Sequence, residues 1–361
     1  MTLRKRIGAL ALAGSALAGC AAPAKKPLID PFPLTLPLVE AGKLDIEGHI
    51  VGQPRARDGI VYCATREGYL TAVVVPSRTI LWRFKADQAI AAGPELGDDR
   101  ITLRDDSNTV YVLEPHGSVL CRTSLKGPVT TAVREKGGRL YFGTSDGRIA
   151  AVEASNAGTT AWEHRVSVSI TAGPVFAGDT FVFGTADGRL LALGPDGVPV
   201  WEFAAEGAIR AEPAVFGGRL YFGTEGRRFY CLSASSGKRI WSRRLQGAPA
   251  GSALVLGRRI VVAASNSVVF FLARRGGSIV SWEAVPSRII YEPVAAGRLV
   301  LVTSAGPTIA ALDSMTGRPA GQDVAAGPLA AGAIWESPFV VLIEEDEGSG
   351  RQRMVMLRRK G

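Results

Sequence analysis

Beyond about residue 43 the chain alternates apolar and polar residues with a period of two, in short runs broken by glycine about every 8–12 residues. The clearest passage is GGRLYFGTSDGRIAAVEASNAGTTAW, residues 137–162. GDTFVFGTADGRLLALGPDGVPVW (178–201) and GGRLYFGTEGRRFYCLSASSGKRIW (217–241) repeat it. Each unit predicts a strand such as Arg139–Thr144, then a tight turn such as Ser145-Asp146-Gly147 or Ala186-Asp187-Gly188. Asp-Gly between apolar runs is a hairpin signal, because the turn needs positive φ and glycine adopts it without a Cβ clash. A second strand follows, such as Ile149–Glu153, and then a second turn ending in Gly158, Gly197 or Gly237. A tryptophan stands four residues after each of these: Trp162, Trp201 and Trp241.

That position recurs along the chain as Trp82, Cys121, Trp162, Trp201, Trp241, Trp282 and Gly321, in steps of 39, 41, 39, 40, 41 and 39 residues. A period near 40 with four short strands per unit predicts an all-β fold, a β-propeller of four-stranded antiparallel blades. Helical solenoids share the period but not the two-residue alternation. Seven units end near Gly321. The remainder offers three strands, Leu329–Ile334, Pro338–Glu344 and Arg353–Arg358, and an unassigned strand, Lys43–Ile50, lies upstream of the first unit. Adding it to the last three closes an eight-bladed ring and removes the exposed sheet edges that invite aggregation. Seven blades with the tail as an appendage is the alternative. The tryptophans are expected to wedge between neighbouring blades, each ring burying on the order of 150–250 Å².

The first nineteen residues do not belong to this pattern. Arg4, Lys5 and Arg6 precede a short apolar stretch, Ile7 to Ala18, and then Leu17-Ala18-Gly19-Cys20. The stretch is too short to span a bilayer, and small residues before a cleavage point mark a secretory signal peptide. Residues 1–19 are therefore read as a signal peptide and 20–42 as a tether carrying Pro23, Pro27, Pro31, Pro33 and Pro37. The propeller is placed at 43–361. A polyproline II tether reaches up to roughly 70 Å at ~3.1 Å per residue, although Leu34, Leu36, Leu38 and Val39 are also placed to pack along the folded body. Loss of Arg4, Lys5 and Arg6 lowers the formal charge from +9 to +6. An exported chain of that charge suits an anionic membrane surface or an acidic partner better than nucleic acid.

AVEASNAGTTAW (151–162), LSASSGKRIW (232–241) and ALDSMTGR (311–318) resemble the pyrroloquinoline-quinone-type (PQQ-like) propeller repeat over roughly residues 43–361. Leu17-Ala18-Gly19-Cys20 resembles the lipobox of bacterial lipoproteins. That resemblance implies diacylglyceryl attachment to the Cys20 thiol, cleavage before it and N-acylation (a palmitate-type anchor). Ala21 after the cysteine implies delivery to the outer membrane, facing the periplasm. With eight blades, a short tether and little else, the whole is similar to the BamB branch, the propeller lipoproteins of the outer-membrane β-barrel assembly machinery. That likeness implies a non-enzymatic scaffold for protein–protein interaction, monomeric, docking on a protein partner such as the assembly barrel. In that branch longer loops make the partner contact. The even spacing here shows none, so no interface residue carries over. A PQQ-dependent periplasmic dehydrogenase and an envelope polysaccharide-binding lipoprotein are the alternatives.

No catalytic constellation is legible. The quinoprotein branch implies a calcium site, a catalytic carboxylate and a vicinal cysteine pair, and the chain has no Cys-Cys. Its acids are scattered through turns as Asp98-Asp99, Asp105-Asp106 and Glu344-Glu345-Asp346-Glu347, the last read as a solvated hairpin tip. His49, His116 and His164 lack metal spacing. No cofactor is expected. Cys63, Cys121 and Cys231 read as buried free thiols, with one disulfide plus one thiol left open. Paired arginines occur at Arg227-Arg228, Arg243-Arg244, Arg258-Arg259 and Arg274-Arg275. In a propeller the turns after the first and third strands share one face. Arg258, Arg259, Arg274 and Arg275 are therefore the candidate docking patch, for an acidic partner or anionic lipid, with ordinary surface charge as the alternative.

Overall fold

The alternating runs fold as strands, and the described residues contain no helix. The structure, a computed structural model, describes residues 36–346 and 348–359. The expected signal peptide, Cys20 and most of the tether lie outside them.

The described residues form 32 strands, β1–β32, in eight four-stranded antiparallel sheets. Blade 1 is β2–β5 (residues 55–85), blade 2 is β6–β9 (90–124) and blade 3 is β10–β13 (134–165). Blade 4 is β14–β17 (170–204), blade 5 is β18–β21 (214–244), blade 6 is β22–β25 (254–284) and blade 7 is β26–β29 (294–324). Blade 8 is β30–β32 (334–359) with β1 (Leu38–Asp45) as its outer strand. The first strand of each blade is innermost, and the ring is an eight-bladed β-propeller. The seven-bladed alternative is thereby excluded.

Closure does occur through an N-terminal strand, but that strand is Leu38–Asp45 rather than Lys43–Ile50. It pairs with Gln352–Arg359 from Leu38↔Arg359 to Asp45↔Arg353. Gly48 turns the chain at φ +97°, and Ile50 then bridges Thr65 of blade 1. Residues 38–42 were read as tether because of the prolines before them. The unpaired backbone of β32 draws them into the ladder, since a sheet edge left open there would carry free N–H and C=O groups. In the same blade the inner strand is Ile334–Glu336, with Leu329 making only a bridge to Glu344.

The core lies between blades. In the second strand of blade 3, Leu140 and Phe142 face Val110 and Val112 of blade 2, whereas Tyr141 faces Phe181 and Phe183 of blade 4. Successive strand residues point to opposite faces, and the middle strands are continuously apolar, so both faces of the sheet carry apolar side chains and each blade is a filling between its neighbours. One blade buries neither face alone, so the repeats stabilise each other only as a stack.

The tryptophans fix the spacing of that stack. Trp82, Trp162, Trp201 and Trp241 each donate Nε1–H to a carbonyl in the third-to-fourth-strand turn of the following blade: Pro115 (3.0 Å), Pro195 (2.8 Å), Ala234 (3.0 Å) and Arg274 (3.2 Å). Each ring lies against the glycine of that turn. A Cβ would come within 2.7 Å of Trp82 at Gly117 and 2.5 Å of Trp162 at Gly197. These glycines also have positive φ (Gly117 93°, Gly197 81°), so both the turn and the indole require them. A β-bulge one residue earlier, at Leu81, Ala161, Val200 and Ile240, aims the indole across the gap.

The other positions differ from expectation. Trp282 is not the sixth wedge. In blade 6 the register pairs Phe271 with Ser281, so Ser281 occupies the slot and donates to the Thr316 carbonyl at 2.8 Å. Trp282, one residue later, falls on the opposite face and is 59% exposed, because a one-residue offset in a strand reverses the side chain. After Cys121, Thr123 supplies the bond to the next blade, its hydroxyl donating to the Ser155 carbonyl at 2.8 Å. At Gly321 the slot is filled from outside by Leu36. In the closing blade the slot is Gly42, and Arg78 of blade 1 lies over it, donating Nη1–H to the Ala41 carbonyl at 2.6 Å. Arg78 holds the positive φ (60°) that glycine holds in the other turns.

These contacts set an expectation for stability. Trp201→Ala lowers the unfolding free energy by about 3 kcal/mol, at the low end for truncating a packed indole. Trp282→Ala changes it by no more than about 0.5 kcal/mol, as for an exposed site. Urea denaturation followed by far-ultraviolet circular dichroism measures both, and equal losses would show that the inter-blade indole is not the stabilising contact.

Candidate functional site

The innermost strands bring charged residues to the ring axis, where they line a cavity of ≈ 780 Å³ with Arg55, Glu95, Arg134, Glu212 and Glu292 among its walls. Arg134 is its centre. Its Nη2 lies 3.0 Å from Glu95 and 2.6 Å from Glu212, and its Nη1 donates to the Pro174 carbonyl at 2.8 Å. Arg55 approaches Glu95 from the other side at 3.4 Å. The network therefore joins blades 1, 2, 3, 4 and 5 across the axis. Arg134, Glu95 and Glu212 side chains are 24%, 20% and 29% exposed, so screening by water is limited.

The titration behaviour follows from this crowding. Burial pushes the Glu212 carboxyl up, Arg134 opposes that, and Glu95 adds to it as a like charge. Burial alone would disfavour the Arg134 charge, but Glu212 and Glu95 outweigh it and raise its pKa. Sequence reasoning passed over these residues. The available signal was an arginine opening the short inner strand, four residues before the turn glycine, as in Arg55 before Gly59 and Arg134 before Gly138.

Arg258, Arg259, Arg274 and Arg275 are brought together around a hollow of ≈ 340 Å³. The Arg274 amide donates to the Arg258 carbonyl at 2.9 Å, which ties the two turns of blade 6 to each other. The four are not equivalent. The Arg274 guanidinium stands 4.8 Å over the Phe216 ring of blade 5, and Arg259 donates to the Met315 carbonyl of blade 7 at 3.1 Å. Both are structural cross-links between blades, whereas Arg258 and Arg275 are exposed. The other pairs lie elsewhere: Arg228 is bound to Glu206 at 2.7 Å on the opposite face, and Arg243-Arg244 end the outer strand of blade 5.

The expected acidic hairpin tip is only partly solvated. Asp346 is exposed and accepts from the Gly348 amide, which holds its carboxyl below the usual range. Glu344 is 8% exposed and instead accepts from the Ala326 amide at 3.2 Å. Asp105 is fully buried, accepting from the Ser107 and Thr109 amides and from the Tyr111 hydroxyl. It organises a turn. His49 pairs with Glu67 at 2.8 Å and His116 with Glu114 at 3.0 Å, both at the surface. Among the described residues no group of three His, Cys, Asp or Glu side chains is placed to hold a metal ion. At the axis Arg134 and Arg55 together neutralise Glu95 and Glu212, so this pair presents no uncompensated negative charge to a cation and does not fit a calcium-and-quinone centre. Cys63, Cys121 and Cys231 are buried free thiols, and burial pushes Cys63 up to about 12.

A family model described as outer membrane protein assembly factor BamB matches residues 66–202 and 187–336. Among solved structures, BamB from Moraxella catarrhalis superposes with a TM-score of 0.74 at 18% identity, covering 89% of this chain and 99% of that one. The computationally designed Ika8 protein gives 0.73 at 17% identity, covering 86% and 98%. The quinohemoprotein alcohol dehydrogenase from Comamonas testosteroni gives 0.67 at 11% identity, covering 90% and 77%. No curated protein matches in sequence. At these identities the structural likenesses establish the fold alone.

Two outcomes are expected here. Arg134→Met strands Glu212, while Glu95 keeps Arg55, and costs on the order of 2–3 kcal/mol at pH 7, below the ~3–5 kcal/mol of a fully buried pair. Protonation of Glu212, whose pKa is raised, removes the uncompensated charge. The gap to the parent therefore narrows as pH falls from 7 to 5 in urea titrations, and a gap independent of pH would refute the assignment. Cys63 stays protonated far above neutrality, so in the folded protein at pH 8 it resists a thiol-specific disulfide reagent and reacts after unfolding in urea. Rapid labelling without denaturant would contradict its placement.

Proposed function

The chain belongs to the family of the outer membrane protein assembly factor BamB, and we propose that it is a lipid-anchored, non-enzymatic scaffold that grips a protein partner during outer-membrane protein assembly. The observation that carries the reading is the use of the chain. The family match runs across six of the eight blades, and the closed ring takes up nearly all the described residues. What such a ring offers is rigid surface: two faces of turns and a rim of outer strands. Rigid, preformed surface suits docking because little conformational entropy is lost on binding.

Cys20 carries the anchor in this proposal. Several acyl chains give stable attachment, each buried CH₂ adding ~0.8 kcal/mol. The protein then works at the outer membrane, facing the periplasm, as a single propeller. The enzymatic alternative rests on a fold-level likeness to a dehydrogenase at 11% identity, and the paired axial carboxylates speak against it.

The test is affinity purification of the tagged, acylated protein from membranes solubilised in mild detergent. The central assembly barrel is expected to co-purify, and Cys20→Ser is expected to move the protein out of the membrane fraction. Dehydrogenase activity after incubation with quinone and calcium, or repeated absence of the barrel, would overturn the proposal.

A further inference from the structure

Exposed basic charge gathers in one sector of one face of the ring. On the face of the second-to-third-strand turns, six of the eight blades carry an exposed carboxylate: Glu67, Asp106, Asp146, Asp187, Glu225 and Asp346. On the opposite face, the turns of blades 5, 6 and 7 present Lys238, Arg239, Arg258, Arg275 and Arg318, all exposed. None of these five has a carboxylate within ion-pair distance among the described residues. Arg298 of the same sector is paired with Asp313 at 2.9 Å. The sector is continuous, because Arg274 reaches Phe216 of blade 5 and Arg259 reaches Met315 of blade 7.

The chain enters the ring on that same face. β1 begins at Leu38 opposite Arg359, where blade 8 would otherwise carry its third-to-fourth-strand turn. The Leu38 amide donates to Asp323 of blade 7 at 3.0 Å, and Leu36 covers Gly321 of the same strand. The entry point therefore adjoins the basic sector. Fifteen residues separate Cys20 from Leu36, a span that cannot exceed about 60 Å at ~3.6 Å per residue.

We propose that the basic sector of blades 5–7 rests on an anionic lipid surface, with the opposite face turned away from the bilayer. The lipid reading is favoured over an acidic protein because the anchored segment leaves from the edge of this face. An anchor there attaches on the side of the basic sector rather than on the opposite face. The orientation rests on the lipid anchor at Cys20 proposed above; the charge of the sector does not.

The test uses residues 20–361 carrying Cys20→Ser, which retain the whole ring and carry no acyl chain. Co-sedimentation is measured with vesicles of phosphatidylglycerol and phosphatidylethanolamine (1:1) and with vesicles of phosphatidylcholine alone. Binding is expected for the anionic vesicles only, and is expected to vanish at 0.5 M salt. Each basic residue near an anionic surface contributes about fivefold in partitioning. Arg258→Glu, Arg275→Glu and Arg318→Glu together therefore lower it by at least about 100-fold, and Arg66→Glu with Arg288→Glu on the other face change it less than threefold. Equal binding to both vesicle types, or an undiminished triple variant, would overturn the proposal. So would loss of a co-purifying envelope protein on charge reversal without any vesicle binding, which would make the face a protein interface. Because this chain is unacylated and the barrel is absent, failure here leaves the scaffold reading to its own test.

Discussion

An indole ring lying on a glycine fastens four of the eight junctions between blades, and the other four are variations on it. A propeller blade is apolar on both faces, so hydrophobic burial pushes blades together without setting their angle or rotation. The tryptophan of an outer strand does set them. Its ring packs on the glycine of the next blade's turn, and its Nε1–H finds a carbonyl there at 2.8–3.2 Å. The contact combines non-directional burial with one directional bond, and only a residue without Cβ allows the approach. The bulge before each tryptophan belongs to the same device, since the extra residue turns the side chain out of the blade and into the gap.

The places where this contact changes are informative. Ser281 and Thr123 keep the hydrogen bond and give up the ring. Between blades 7 and 8 and between blades 8 and 1 the roles are exchanged. The outer strand supplies glycine, Gly321 or Gly42, and the neighbour supplies the side chain, Leu36 or Arg78. Both exchanges flank the closing strand. Ring closure joins the two ends of the chain, and its geometry is met by local substitutions without altering the other junctions. A consequence is that the entering chain is committed to one face, beside a basic sector.

The interior of the ring is governed by a different balance. Side chains at the axis have no neighbouring blade to pack against and only limited water. Arg134 answers this by serving two carboxylates and a carbonyl at once. A guanidinium suits that role because its five donors fan out within one plane. The arrangement fastens blades that are distant in sequence, and it leaves gripping to the faces and the rim.

Repeat period, strand alternation, Asp-Gly turns and the tryptophan–glycine spacing are local properties, and they were enough to determine an all-β propeller, whereas the choice of eight blades over seven and the free state of the thiols were decided by the folded ring. They could not decide contacts made across the ring. The one-residue offset that exposes Trp282 depends on which backbone group of β24 (Val268–Ala273) pairs with its outer strand, and a spacing of 41 residues does not reveal it. The true closing strand depended on the length of unpaired edge left by β32. The Arg134 network joins Arg55, Glu95, Pro174 and Glu212, residues up to about 160 apart along the chain. They meet only because curvature brings all inner strands to one axis. Short-range pattern dictates which elements form, because propensity and alternation act over a few residues; the charges that meet at the axis, and the face on which the chain enters, exist only once the ring has closed.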